Sequence, residues 1–192
     1  MVNLLMLDKD LLSKLSLITT MLKKLGIFFE SEGVMMNKTI DISIGKTLKL
    51  SNALIRCIAE DEFPDYEKIV EMMGGYIKSK GSQPVGPLIQ RTRVAVDEEG
   101  IPILQNCIIL QSSNYIHNVE SPYTMEAILR VQNCIYTRFI GEEDKIKYAY
   151  DKMSVYAYEN GIGLSGTTYA VFIDATDENQ TTDIFLECEP ND

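Results

Sequence analysis

Residues Tyr76–Gly86, YIKSKGSQPVG, are echoed by Tyr156–Gly166, YAYENGIGLSG. Each stretch has a Tyr, a Gly five residues on and another Gly five further, and each is led by a Met three residues before the Tyr, Met73 and Met153. The offset is 156 − 76 = 80 throughout. It also holds further back along the chain. Tyr66, Ile69, Val70, Met73, Tyr76 and Ile77 form one face of a helix, and adding 80 to each number gives Ile146, Ala149, Tyr150, Met153, Tyr156 and Ala157. Gly81 and Gly161 stand where such helices stop. A match at one fixed offset marks an internal repeat, so the chain is expected to be built from two like modules.

The residues around the helices give each module its strands. Ile40, Ile42 and Ile44 alternate with polar residues, and Gly45 is expected to break the run before Leu48, Leu50 and the apolar stretch Leu54–Ile58. Pro64 suits the first turn of the first helix. GPLIQRTRVAVD and IPILQNCIILQ then read as two strands around the turn DEEG. The first unit is therefore β-α-β-β over about 47–111. A polar connector with Pro122 follows. The second unit, about 124–189, has the same order, opening with TMEAILRVQNCIYTRFIG as one strand or a pair of short ones.

Ahead of the modules, Leu4, Leu11, Leu15, Ile18, Leu22, Leu25 and Phe29 predict an amphipathic helix over residues 3–30. Asp8, Lys9, Asp10, Lys14, Lys23 and Lys24 interrupt it, so it suits neither a membrane span nor a signal peptide. Glu32-Gly33 implies a purine-rich codon pair just upstream of Met35 and Met36, resembling a bacterial ribosome-binding site. The expected division is 1–35, an amphipathic helix or a non-native extension preceding a start at Met35 or Met36 rather than Met1, and 36–192, a single domain. If native, the leucine stripe packs on the chain's own sheet, or docks a protein partner or a second copy to form a homodimer.

The formal net charge of −10 opposes a phosphate backbone, so no nucleic-acid partner is expected. Cys57, Cys107, Cys134 and Cys188 sit in apolar runs without a C-x-x-C pair, and read as four buried thiols in a reducing, cytoplasmic compartment. His117 is the only histidine. Little material exists for a zinc cage or a Ser-His-Asp triad, and no glycine-rich phosphate loop is present. No metal, cofactor or catalytic residue is expected.

The repeated β-α-β-β unit, with ENG and GP or G at the helix-to-strand joints, resembles the GyrI-like small-molecule or effector-binding domain family, in a stand-alone, Gram-positive bacterial form. The likeness rests on YENGIGLSG and KSKGSQPVGP, and on TTDIFLECE, which puts Asp183 where the family carries an acidic residue. It implies an α+β fold in which the two copies form a curved antiparallel sheet, with helices on one face and a cleft between the copies. It further implies non-catalytic binding of a small hydrophobic or cationic organic molecule. Asp183 would be the counter-charge, with Tyr136, Tyr169 and Phe185 as walls and Tyr156 at the rim. Two plainer readings stand beside this one: Tyr156 as a helix core residue, and Asp183 as a solvated strand residue. The alternative functions are a protein-protein interaction or accessory module without ligand, and a small hydrolase.

Overall fold

The computed structural model describes residues 40–96, 100–175 and 179–190. The expected N-terminal helix and the start at Met35 or Met36 lie outside them. The elements run β1 (Ser43–Ile58), α1 (Tyr66–Ser79), β2 (Pro84–Val96), β3 (Pro102–Ser112), β4 (Tyr123–Gly141), α2 (Lys147–Glu159), β5 (Leu164–Ala175) and β6 (Gln180–Cys188). A short 3-10 turn leads into each helix, Glu60–Asp65 with Pro64 inside it and Glu143–Lys145.

The two helices end alike. Beyond α1, the Ser82 amide donates to the Ile77 carbonyl at 3.2 Å and the Gly81 amide to Lys78 at 3.0 Å. Beyond α2, Ile162 donates to Ala157 at 2.9 Å and Gly161 to Tyr158 at 3.2 Å. Both are Schellman stops, which require a left-handed residue at the position that Gly81 and Gly161 occupy, with φ of 76° and 64°. The buried faces match the predicted ones. Tyr66, Ile69, Val70, Met73 and Ile77 are buried on α1, and Ala149, Tyr150, Met153 and Ala157 on α2. Tyr76 and Tyr156 are half-buried at equivalent places.

The sheet differs from the expectation in one respect. It does not stay open with a cleft between two halves. The six antiparallel strands close into a ring in the order β1-β3-β2-β5-β6-β4. Both seams between the halves are hydrogen-bonded, β1 to β4 and β2 to β5. Exchanging β1 with β4, β2 with β5 and β3 with β6 leaves the order unchanged. The expected break at Gly45 is a register irregularity within one continuous strand, and of the two alternatives for the opening of the second unit, one strand or a pair, the single 19-residue β4 is the one that forms. A left-handed residue, Asn133 at φ 54°, bends β4 without ending it.

Eight strands give a barrel just wide enough to be filled by side chains, so a ring of six cannot admit a helix. The helices therefore lie outside, and two apolar clusters result. The outer one joins both helices to the outward strand residues, among them Leu54, Leu88, Ile108, Ile135 and Ile184. The inner one contains strand residues alone, drawn from all six strands, including Leu50, Ile55, Ile89, Ile109, Val171 and Phe185. Met73 and Met153 are both fully buried in the outer cluster. Met153→Ala and Met73→Ala are each expected to cost about 2–5 kcal/mol in urea unfolding. Met72→Ala, at a position 50% exposed on the same helix as Met73, should stay within about 0.5 kcal/mol of wild type.

Candidate functional site

Strand register assembles the site from distant residues. One lateral row crosses all six strands: Cys57 pairs with Cys107, Cys107 with Arg91, Arg91 with Tyr169, Tyr169 with Phe185, and Phe185 with Tyr136. Directly paired residues share a face of a sheet, and Ile89, Val171 and Phe185 fix this face as the inner one. The adjacent inner row runs Ile55, Ile109, Ile89, Val171, Asp183, Arg138 by the same pairings. Four residues of that row are aliphatic and the last two, Asp183 and Arg138, are an ion pair.

Four of the five expected site residues meet here. The Tyr136 hydroxyl donates to Asp183 Oδ1 at 2.9 Å. Its ring lies 4.9 Å from that of Phe185, tilted by 50°. Tyr169 is the cross-strand neighbour of Phe185 and is buried. Tyr156 does not join them. It lies on α2 and packs against the outer cluster, on the far side of the sheet wall. The plainer reading, a helix core position, describes it.

Asp183 does not stand free. Arg138 grips it in a two-point fork, Nε to Oδ1 at 2.7 Å and Nη2 to Oδ2 at 2.8 Å. The Asp183 side chain is only 13% exposed, against 50% for Arg138, so the carboxylate sits inside and the guanidinium at the lip. This removes the reading of Asp183 as a solvated strand residue. Burial, and then the hydrogen bond to Asp183, push the Tyr136 hydroxyl above the ordinary tyrosine range. The hydrogen bond to Asp183 likewise holds Arg138 firmly in its charged form. Burial raises Tyr169 too, and the neighbouring Arg91 opposes the rise.

Sequence reasoning missed Arg138 and Arg91. The available signal was alternation: Arg138 is two residues from Tyr136, and Arg91 two from Ile89, so each shares its neighbour's face. Arg91 is half-buried, and its Nε has no hydrogen-bond partner among the described residues.

The cysteine expectation is corrected. Cys57 and Cys107 form a disulfide across β1 and β3, and Cys57 is exposed. Only Cys134 and Cys188 are free, buried thiols. They could not have been told apart by local composition, because the pairing depends on strand register across 50 residues. Burial pushes the Cys134 thiol up to about 11 and raises Cys188 as well, so both stay protonated and unreactive at neutral pH. Among the described residues no group of three or more His, Cys, Asp or Glu side chains is placed to hold a metal ion. No helix among them is long and apolar enough to cross a membrane.

No family model and no curated protein matches the sequence. Solved structures do. EcmrR, seen by cryo-EM in the EcmrR-DNA complex of EcmrR-RPo, matches with TM-score 0.60 at 15% identity, over 95% of this chain and 67% of that one. At that identity the likeness shows the fold alone. The DNA in that complex is a property of EcmrR. Looser matches include SAV2435 bound to tetraphenylphosphonium, with TM-score 0.47 and 8% identity over 79% of this chain and 94% of that one. Another is a hydrolase encoded by lin2189 from Listeria innocua, with TM-score 0.48 and 11% identity over 79% and 92%.

The raised tyrosines set a pH dependence. Tyr66, Tyr136, Tyr150 and Tyr169 all hold their protons more tightly folded than unfolded. Their contribution is complete below the unfolded value near 10, and is lost as pH climbs through the folded values, because the unfolded chain sheds protons first. The urea midpoint should therefore fall from pH 9.5 to pH 11.5, by less in Tyr136→Phe than in wild type. A flat midpoint over that range would contradict this account. Separately, Arg138→Ala should cost about 1–2 kcal/mol, with a double-mutant cycle against Asp183→Asn recovering most of it as coupling.

Proposed function

We propose that this chain is a duplicated β-α-β-β module of the GyrI-like effector-binding kind, and that it binds a small hydrophobic organic cation without catalysis. Duplication is supported by the common offset of the helix faces, by the two Schellman stops, and by a strand order that survives exchange of the halves. The binding reading rests chiefly on one observation. Asp183 is a shielded carboxylate among Tyr136, Phe185 and Tyr169, and the group that neutralises it sits half in solvent.

The arrangement suits displacement. An arriving cation takes the place of the Arg138 guanidinium, which needs only to rotate outward from the lip to regain water. Releasing Arg138 gives up its pairing, about 1–2 kcal/mol, and the arriving cation replaces that pairing, so Asp183 is not left uncovered. Aromatic faces then add about 0.5–2 kcal/mol for a desolvated cation at each ring. Tyr136 keeps its hydrogen bond to Asp183 and fixes the carboxylate's orientation. Selectivity follows from this reading: a neutral analogue cannot replace the guanidinium and leaves Asp183 paired.

A second reading, a protein partner or a second copy of the chain, is favoured by the far end of the β2–β3 hairpin, where β2 and β3 pair with no third strand among the described residues. Pairing of β2 with β5 ends at Arg93, and pairing of β1 with β3 ends at Asn106, so the hairpin projects beyond its neighbours. Val94, Val96 and Leu104 are all exposed there. Light scattering of wild type against Val96→Glu tests it, with loss of self-association as the expected result.

For the ligand reading, tetraphenylphosphonium is the probe, followed by calorimetry and thermal shift. Wild type should bind it with a raised melting temperature, and Asp183→Asn should lose the effect. Arg138→Gln should tighten binding about tenfold, because the competing internal cation is gone. No binding by either wild type or Arg138→Gln would sink the proposal.

A further inference from the structure

Arg91 lies beside a second reactive group on the same row, the Cys57–Cys107 disulfide. Its Nη2 is 3.3 Å from Cys107 Sγ and 3.8 Å from Cys57 Sγ. The two sulfurs differ in access. Cys57 is exposed, whereas Cys107 is 1% exposed. Among the described residues no carboxylate forms an ion pair with Arg91, its Nε is buried without a partner, and Tyr169 is its other polar neighbour. A half-buried guanidinium thus faces the buried sulfur of a disulfide whose other sulfur meets solvent.

We propose that Cys57–Cys107 is a reversible thiol–disulfide exchange site, with Cys57 the sulfur that is attacked, Cys107 the leaving group, and Arg91 the residue that stabilises the thiolate released. Exchange is in-line attack of a thiolate on one sulfur of a disulfide, and it is faster when the attacked sulfur is accessible and the leaving thiol is acidic. The accessible sulfur is that of Cys57, and the sulfur nearer the Arg91 guanidinium is that of Cys107. The partner in solution is a dithiol reductant. Its first thiolate attacks Cys57 Sγ, the Cys57–Cys107 bond breaks, and the electron pair leaves on Cys107 Sγ beside Arg91. Its second thiolate then attacks its own sulfur in the mixed disulfide and releases Cys57, which takes a proton from water. The reductant becomes a cyclic disulfide and the protein gains two electrons. A thiolate next to a guanidinium is favoured over the thiol, which also makes reduced Cys107 ready to close the bond again when an oxidant caps Cys57.

The site is independent of cation binding at Asp183, and its test reads no ligand. Disulfide-linked protein is mixed briefly with glutathione, quenched with acid, and peptide-mapped by mass spectrometry. The glutathione adduct is expected on Cys57. An adduct mainly on Cys107, or no Cys57–Cys107 linkage after oxidised glutathione, overturns the proposal. The rate of opening by dithiothreitol at pH 7 supplies the second measurement. Arg91→Gln should slow opening about tenfold, and Arg91→Lys, which keeps a cation, should restore most of the rate. Equal rates in Arg91→Gln and wild type would remove Arg91 from the step. The regiochemistry on wild-type protein stands whether or not the Arg91 variants fold.

Discussion

The hydrogen bonds that join the two halves along both seams, β1 to β4 and β2 to β5, are the constraint on which the remaining structure depends. A three-stranded sheet with one helix leaves two edges open, and open edges invite pairing with other chains. Here each half supplies the other's missing neighbours, so the ring closes and no edge of the sheet core is left unpaired. Closure then divides every strand into an inward and an outward set. The outward set requires a cover, which α1 and α2 provide. The inward set faces the other strands across a narrow ring, so its polar members pair with one another wherever solvent does not reach them.

That requirement accounts for the chemistry of the inner face. Asp183 accepts from Tyr136 and Arg138, leaving neither oxygen without a partner. Among the described residues Arg91 has no such carboxylate and rests against two sulfurs and Tyr169. The interior therefore holds one matched charge pair near the lip and one cation beside the disulfide, two rows of the same wall. Asn52 and Asn133, each left-handed with φ of 49° and 54°, break the alternation of β1 and β4. Inward residues are consequently Leu50 then Ala53, and Val131 then Cys134, at odd spacings. Asn is among the few residues that adopt this conformation at modest cost.

The parts of this structure set by local periodicity were legible in the sequence. The helix faces, their glycine stops and the order of strands follow from spacing within about twenty residues. The parts set by register were not. Asp183 and Arg138 are 45 residues apart, and Cys57 and Cys107 are 50 apart. Nothing near either residue announces its partner, because strand pairing is a property of the closed ring and not of the segment. Tyr156 shows the opposite error. Its helical spacing identified a core position, and only the likeness to a ligand-binding family drew it toward the site. Closure was likewise unreadable, since an open sheet and a closed one share the same alternation.

A closed ring also restricts how such a chain can change its length. Removing one residue from the middle of any strand shifts that strand against both neighbours, and a shift of one turns every side chain to the other face. The row from Cys57 to Tyr136 would then lose its alignment at each crossing that strand makes. Substitution can retune this interior, but insertion and deletion are confined to the joints, such as the connector of residues 113–122 between the halves. Relatives with a different ligand should therefore differ in inward side chains while keeping strand lengths, and differ in length only where the chain leaves the ring.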